Sequence, residues 1–143
     1  RGSWVGGGSV AALTAALAAA LLEKLTTHPA LARARRARRE CVELAYQDAE
    51  AFARVIQATR RHNTLGFQRA LKAATAIQER VWTHARMTHH ACQRLQRLVK
   101  PRFRSDLRCA LHLARASAHA AQLFIRTNRA WLRESARPHA ARR

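Results

Sequence analysis

An alanine-rich segment from Ser9 to about Thr27 constrains the fold of this 143-residue chain more than any other feature. Its residues are apolar on nearly every side of a helix, which is typical of a central, buried helix. Seven alanines between residues 11 and 20 allow neighbouring backbones to approach closely. Three glycines, Gly6, Gly7 and Gly8, precede the segment, and we expect the Ser9 hydroxyl to cap the helix.

The same segment invites comparison with membrane and export sequences. Its apolar run from Val10 to Leu22 is too short and too rich in alanine to span a bilayer. The glycines in front of it, the charged pair Glu23 and Lys24 behind it, and the lack of a convincing small-x-small cleavage site argue against a secretory signal.

Apolar periodicity predicts four long helices joined by short breaks. They run from Ser9 to about Thr27, from Pro29 to about Arg61, from Thr64 to about Val99, and from Ser105 towards the end of the chain. Short connections make neighbouring helices antiparallel. The predicted fold class is therefore all-α: an up-and-down bundle of four main long helices with a buried alanine-rich first helix. We predict one domain over residues 1–143, with 1–5 as the remnant of a leader and 135–143 as a frayed tail.

The glycine run is also a candidate binding turn. A glycine-rich turn that enters a helix can hold an anion or a carbonyl oxygen with its backbone amides. It lacks the Lys-Ser/Thr ending of a nucleotide-triphosphate loop and the spacing of a dinucleotide fingerprint. Two interpretations stay open: a flexible entry into a tightly packed helix, and a site built from backbone.

Two polar residues lie on helical stripes that otherwise face the core. Asp48 falls between Ala45 and Phe52 on the second helix, and Asn128 lies on the apolar stripe of the fourth. A buried carboxylate or amide needs partners. Each is either hydrogen-bonded in the core, placed at a stripe edge facing water, or directed into a cleft. Asp106 has an ordinary explanation as well, because carboxylates stabilise the first turn of a helix.

The formal net charge of +19 attracts polyanions without identifying one. Five arginines between Arg33 and Arg39 form either a solvated helix face or a nucleic-acid surface. Aromatic residues interleaved with arginine, as single-strand binding requires, are not evident, because Trp82 and Trp131 stand singly.

Cysteine and histidine spacing points away from metal chemistry. Cys41, Cys92 and Cys109 have no metal or redox spacing, so we interpret them as small buried residues in a reducing compartment. The eight histidines lack a paired ligand arrangement on one helix face. We therefore expect no metal site and a cytoplasmic location.

The order of several motifs resembles one known family. Residues 6–13, Gly-Gly-Gly-Ser-Val-Ala-Ala-Leu, resemble the opening motif of the formiminotetrahydrofolate cyclodeaminase and methenyltetrahydrofolate cyclohydrolase family. Residues 48–52 resemble its Asp-x-x-Ala-Phe element, residues 105–107 its Ser-Asp element, and Asn128 the asparagine near the end of that helix. The resemblance spans residues 6 to about 132. The resemblance implies a divergent, shortened member of the family: Val5 replaces the usual proline, the leading helix is absent, and arginines replace an acidic surface.

The resemblance implies an all-α, cytoplasmic, homodimeric folate enzyme without a prosthetic group. Its substrate would be a tetrahydrofolate derivative, in some members polyglutamylated. The reaction would be ring closure of formiminotetrahydrofolate with loss of ammonia, or hydrolysis of methenyltetrahydrofolate. The implied roles are catalytic for Asp48 and Asp106, and substrate-binding for Gly6, Gly7, Gly8, Ser9, Ser105 and Asn128. The sequence leaves open an alternative, a non-catalytic basic helical module that binds nucleic acid or another polyanion.

Overall fold

The computed structural model describes residues 6–27 and 30–136. It contains four long α-helices and one 3₁₀ turn, and no strand among the residues it describes, which confirms the all-α prediction. The helices are α1 (Gly7–Leu25), α2 (Ala30–Arg60), α3 (Thr64–Leu95) and α4 (Arg104–Ser135), with the 3₁₀ turn at Pro101–Phe103. Pro29, residues 1–5 and most of the tail predicted to fray lie outside the described residues.

The start of α1 differs from the prediction. Gly6, in an extended conformation, is the N-cap residue, and Val10 N donates to Gly6 O at 3.1 Å. Ser9 is therefore not the cap: it lies inside the first turn, and its buried hydroxyl bonds to another helix. The helix begins two residues early because Gly7 and Gly8 adopt helical geometry.

All four helices meet around the alanines of α1. Ala12, Ala15 and their neighbours pack against Leu44 on α2, Val81 on α3 and Ala121 on α4. Because alanine is small, the backbones come close enough for Ser117 Oγ on α4 to donate to the carbonyl of α1 at Ala11, at 2.8 Å. The predicted buried first helix is thus confirmed.

The core-facing side of α2 differs from the apolar stripe that the spacing predicts, which continues from Asp48 to Phe52 and Ile56. Phe52 is exposed and Ile56 half-buried, whereas Ala51 and Val55 are buried. The prediction extended the stripe in steps of four, but the buried positions continue in steps of three and four. Alternating steps of three and four average about 3.5 residues, so the buried positions stay on one side of the helix, whereas repeated steps of four drift around it.

The helices reach different heights, because α1 begins part of the way along the bundle. A hydrogen bond from Ser9 to Asp48 sets the first turn of α1 beside the middle of α2. From Asp48 to Arg60, α2 continues for about 18 Å at the α-helical rise. There α2, α3 and α4 pack together without α1, through Val55, Leu71, Leu132 and neighbours. We call the region at the N-terminal end of α1, between Asp48 on α2 and Phe124 on α4, the notch.

A hydrogen-bonded turn reverses the chain between α2 and α3. His62 N donates to Thr59 O at 3.1 Å and Asn63 N to Ala58 O at 3.0 Å, the two bonds of a Schellman motif. His62 takes the left-handed backbone that this motif needs, with φ of 51°. Asn63 then caps α3, because its side chain accepts from Gly66 N at 2.8 Å.

The full length of α1 corrects one sequence expectation. Gly7–Leu25 has 19 residues and a mean hydropathy of 1.5, so by length and composition alone it is long and apolar enough to cross a membrane. Half of that stretch is buried against the other helices. The core helix of a soluble protein meets the same criterion, and α1 packs as such a helix does.

Candidate functional site

The site is built around Asp48, a carboxylate that is only 7% exposed. Ser9 Oγ on α1 donates to Asp48 Oδ2 at 2.9 Å, and Gln78 Nε2 on α3 donates to Asp48 Oδ1 at 2.7 Å. Both donors are neutral, and no lysine or arginine of the described chain forms an ion pair with this carboxylate. Three helices therefore meet at one buried acidic group whose charge has no counter-ion.

Two glycines let neighbouring side chains touch the backbone of α1. A Cβ on Gly8 would lie 2.5 Å from both Asp48 Oδ1 and Gln78 Nε2. A Cβ on Gly7 would lie 2.5 Å from the Phe124 ring of α4, whereas nothing lies within 4 Å at Gly6. Gly7 and Gly8 are helical, so their function here is close approach rather than backbone freedom.

The N-terminus of α1 adds partial positive charge to this end of the bundle. The first amides of a helix lack intrahelical acceptors, and Gly6 supplies no side-chain cap. The helix dipole favours a negative group there. Asp48 is one such group, and the amides of the first turn are directed along the axis towards the notch.

Gln78 is a site residue that was missed in the sequence. Its side chain is almost fully buried, and its Oε1 has no hydrogen-bond partner among the described residues. The amide nitrogen is committed to Asp48, so the oxygen is a free acceptor. An unpaired buried acceptor costs about 1–3 kcal/mol unless a ligand or water satisfies it. The available signal was a polar residue on the core stripe of α3, between Ala74 and Val81.

Asn128 lies on the α4 wall of the notch. It is half-buried and one helical turn beyond Phe124, the residue that packs on Gly7. Arg129, which follows Asn128 on α4, pairs with Glu79, which follows Gln78 on α3, with 2.7 Å between Nη2 and Oε1. Asn128 and Gln78 therefore lie at similar levels along the bundle. Six of the eight predicted site residues, Gly6 to Ser9 with Asp48 and Asn128, thus lie at one end of α1.

Asp106 and Ser105 lie at the opposite end. Asp106, in the first turn of α4, pairs with Lys24 through Nζ and Oδ2 at 2.6 Å. Lys24 is about 22 Å from Ser9 at the α-helical rise. The implied catalytic roles of Asp48 and Asp106 require one shared hollow, and within a single chain the two carboxylates do not share one. Chain order cannot show which residue of α2 lies beside the start of α4, because that depends on how the helices pack.

The cysteines match the prediction at two of three positions. Cys41 and Cys92 are buried, whereas Cys109 is exposed, contrary to prediction. Burial, with the adjacent Glu40 carboxylate, raises the pKa of Cys41 to about 12, and burial raises the pKa of Cys92 to about 11. Neither buried thiol is a nucleophile near neutral pH. Within the described residues no three His, Cys, Asp or Glu side chains cluster as metal ligands would.

The arginine run on α2 is mainly a solvent-facing surface. Arg33, Arg36 and Arg39 are exposed. Two others lie beside the carboxylate of Glu23 on α1: Arg38 Nε at 2.6 Å from Oε1, and Arg35 Nε at 3.7 Å from Oε2. These contacts support the interpretation of the run as a solvated helix face.

Comparison with known proteins agrees with this architecture. A sequence model described as formiminotransferase-cyclodeaminase matches residues 2–142. No curated protein sequence matches the chain. Among solved structures, formiminotetrahydrofolate cyclodeaminase from Thermotoga maritima has a TM-score of 0.73 at 23% identity, over 94% of this chain and 80% of that one. At this identity the likeness establishes the fold alone.

Proposed function

Because the chain belongs to the formiminotransferase-cyclodeaminase family, we propose that it binds a one-carbon tetrahydrofolate derivative in the notch. The proposed reaction is ring closure of formiminotetrahydrofolate with loss of ammonia, or hydrolysis of methenyltetrahydrofolate. The observation that supports it best is the buried carboxylate of Asp48, which forms no ion pair within the described residues and lies beside the first turn of α1. We expect a soluble, cytoplasmic enzyme that needs no prosthetic group.

Both reactions pass through a tetrahedral carbon between two folate nitrogens, N5 and N10. In ring closure, N10 adds to the formimino carbon and the protonated leaving nitrogen departs as ammonia. In hydrolysis, water adds to the same carbon of the methenyl ring. The methenyl form is a cationic amidinium, so a fixed carboxylate opposite it stabilises the positive charge that develops in ring closure and binds the cationic substrate of hydrolysis. Orientation and proton transfer supply much of the remaining rate.

Asp48 suits the role of that fixed carboxylate. Ser9 and Gln78 hold both of its oxygens, so it needs little reorganisation when charge develops nearby. The free Gln78 Oε1 would accept from a pterin N–H group. The amides of Gly7 and Gly8 would hold a carbonyl or carboxylate oxygen of the substrate, and Asn128 would orient it.

Asp106 enters this proposal through a second copy of the chain. Val10, Leu13 and Leu17 form an apolar stripe on α1 that is 54%, 42% and 59% exposed. Pairing this stripe with itself in antiparallel fashion about Leu17 would set Lys24 of one copy opposite Val10 of the other. A twofold contact of this kind is isologous, so it forms two equal sites. Each would combine Asp48 with Asp106 of the partner subunit.

Mixing two inactive variants tests the shared site. Asp48→Asn and Asp106→Asn proteins are each assayed alone and then after unfolding and refolding together. If the carboxylates come from different subunits, half of the dimers are mixed and one site in each is intact. Turnover then recovers to about one quarter of the wild-type value. No recovery would mean that the two carboxylates do not form a shared site across subunits, and an active Asp106→Asn protein would remove its catalytic role.

The activity itself is tested with methenyltetrahydrofolate. Its near-ultraviolet absorbance should fall faster with the protein than in buffer, and calorimetry should detect binding. Asp48→Asn should abolish the acceleration, while Glu43→Gln, the same carboxylate-to-amide change at an exposed position of α2, should leave it unchanged after correction for folding. If the wild-type protein shows no turnover and no binding, the folate proposal is overturned.

A further inference from the structure

A second surface, unrelated to the notch, is distinguished by its charge. From Arg80 to Arg133 the chain carries twelve lysines and arginines and a single acidic residue, Asp106. That carboxylate is already paired with Lys24. The outer side of α3 and α4 is therefore strongly positive, whereas six of the eight acidic residues lie at or before Glu79.

A groove between α3 and α4 concentrates this charge. Its main hollow has a volume of about 550 Å³, and no carboxylate lines it. A smaller hollow of about 260 Å³ shares His89 and Arg115 with it, so the two form one continuous groove. Its basic side chains are Arg86, His89 and His90 on α3, and Arg108, His112, Arg115 and His119 on α4.

Arg86 is held in position before any ligand arrives. Its Cζ lies 4.7 Å from the centroid of the Trp82 ring. Its Nη2 lies 3.5 Å from His90 Nε2, while His90 Nδ1 lies 3.2 Å from Gln93 Oε1. With Nδ1–H donating to Gln93, Nε2 accepts from Arg86. Little side-chain entropy remains to be lost when an anion binds this guanidinium.

The spacing of the basic residues on α4 suits a linear ligand. Arg108, His112, Arg115 and His119 follow one another at steps of four, three and four, so each helical turn contributes one. They extend over about 16 Å at the α-helical rise. Arginine donates in a planar fork that matches phosphate oxygens, and protonated histidine adds charge.

We propose that this groove binds a linear chain of phosphates, either free polyphosphate or the phosphodiester backbone of a single-stranded nucleic acid. The interaction is electrostatic and independent of base sequence, because Arg86 covers the ring of Trp82 and the groove lining has no other Trp, Tyr or Phe side chain for base stacking. It involves no residue of the notch.

Binding should also tighten as the pH falls. The pKa of His89 lies below its ordinary value because of burial, then of the positive charge on His90, Arg115 and His119. Arg86 on α3 faces the same hollow. A bound polyanion offsets these positive charges and so favours protonated His89, which adds favourable charge to the groove as the pH falls.

The test compares two variants that lose the same charge. Arg86→Gln/Arg115→Gln removes two charges from the groove, and Arg39→Gln/Arg126→Gln removes two exposed charges elsewhere. The probes are polyphosphate of about fifteen units and a twelve-nucleotide oligothymidylate, with poly-L-glutamate as the carboxylate control. Binding is measured by calorimetry at two salt concentrations and at pH 6 and 8, with circular dichroism confirming that each variant is folded.

The groove variant should bind a phosphate probe at least about tenfold more weakly, and the control variant should stay within about threefold of wild type. Neutralising about four phosphates predicts an affinity loss of about fiftyfold between 50 and 200 mM salt. Binding of polyphosphate alone identifies a free phosphate chain, and equal binding of oligothymidylate identifies a phosphodiester backbone. Equal losses in both variants, or equal affinity for poly-L-glutamate, would overturn the proposal. Folate turnover by the groove variant should be unchanged, so the two proposals fail independently.

Discussion

The two ends of α1 each hold an aspartate, and the comparison shows how burial sets the function of a carboxylate. At the N-terminal end, Asp48 is buried and bonded by neutral donors from two other helices. At the C-terminal end, Asp106 is partly exposed and paired with Lys24. Asp106 has a cationic partner in a partly solvated setting, whereas Asp48 has only neutral hydrogen-bond donors among the described residues. Under the proposed function, the carboxylate without a cationic partner is the one that faces the cationic substrate.

The largest expected effect is that of Gly8→Ala. The added Cβ would meet Asp48 Oδ1 and Gln78 Nε2 at 2.5 Å, so the hydrogen bonds at the site must break or α1 must shift. We expect the free energy of unfolding to fall by about 3 kcal/mol, measured by urea denaturation. Gly6→Ala, which meets nothing within 4 Å, is the control and should cost under about 1 kcal/mol. Equal losses would show that Gly8 does not pack against the carboxylate.

The second effect contrasts the two aspartates directly. Asp48→Asn would place an amide nitrogen against one of the donors from Ser9 and Gln78, at a cost of about 2 kcal/mol in unfolding free energy. Asp106→Asn removes a solvent-screened pair with Lys24 and should cost under about 1 kcal/mol. Thermal and urea unfolding of both proteins measure the difference. A larger loss at Asp106 would reverse the comparison between the two ends.

The third effect concerns the two buried thiols, Cys41 and Cys92. Cys92 lies with Leu22 and Leu107 in the apolar cluster at the C-terminal end of α1. The folded-state pKa values of Cys41 and Cys92, about 12 and about 11, lie above the ordinary value of 9.0. The buried neutral thiols therefore make their full contribution to the free energy of unfolding below pH 9, and this contribution is lost as the pH rises towards 11 to 12. We expect a loss of about 1 kcal/mol for each thiol by pH 10.

Urea titrations from pH 8 to 11 measure this slope. Cys92→Ala should flatten it, while the exposed Cys109→Ala should not change it. At pH 8 a thiol reagent should modify Cys109 rapidly and the other two only on unfolding. Fast modification of Cys92 would mean that the C-terminal end of α1 is open to solvent.

The smallest effect is a gain at the turn above the notch. His62 occupies a left-handed position that favours glycine. His62→Gly should raise the free energy of unfolding by about 0.5–1 kcal/mol, and Asn63→Ala, which removes the cap of α3, should lower it by about 1 kcal/mol. If His62→Gly destabilises the protein, the imidazole contributes more to the turn than its strained backbone costs.

The sequence predicted helices better than it predicted contacts between them. Spacing located α1 to α4 within a few residues, since apolar periodicity depends only on local geometry. It also singled out Asp48 and Asn128 as polar residues on core stripes. It failed at Ser9, which resembles a cap but bonds to α2, and it missed Gln78, whose stripe position carried the same signal. Both errors concern partners far away in the chain.

Composition and periodicity by themselves determined an all-α bundle with a buried alanine-rich helix, because those properties act over one or two helical turns. Tertiary packing alone decided the heights of the helices, and with them that Asp48 meets Gly8 and Gln78 while Asp106 meets Lys24. Relative height depends on how ridges and grooves interlock between helices. That information is distributed over many small side chains, so no single motif carries it.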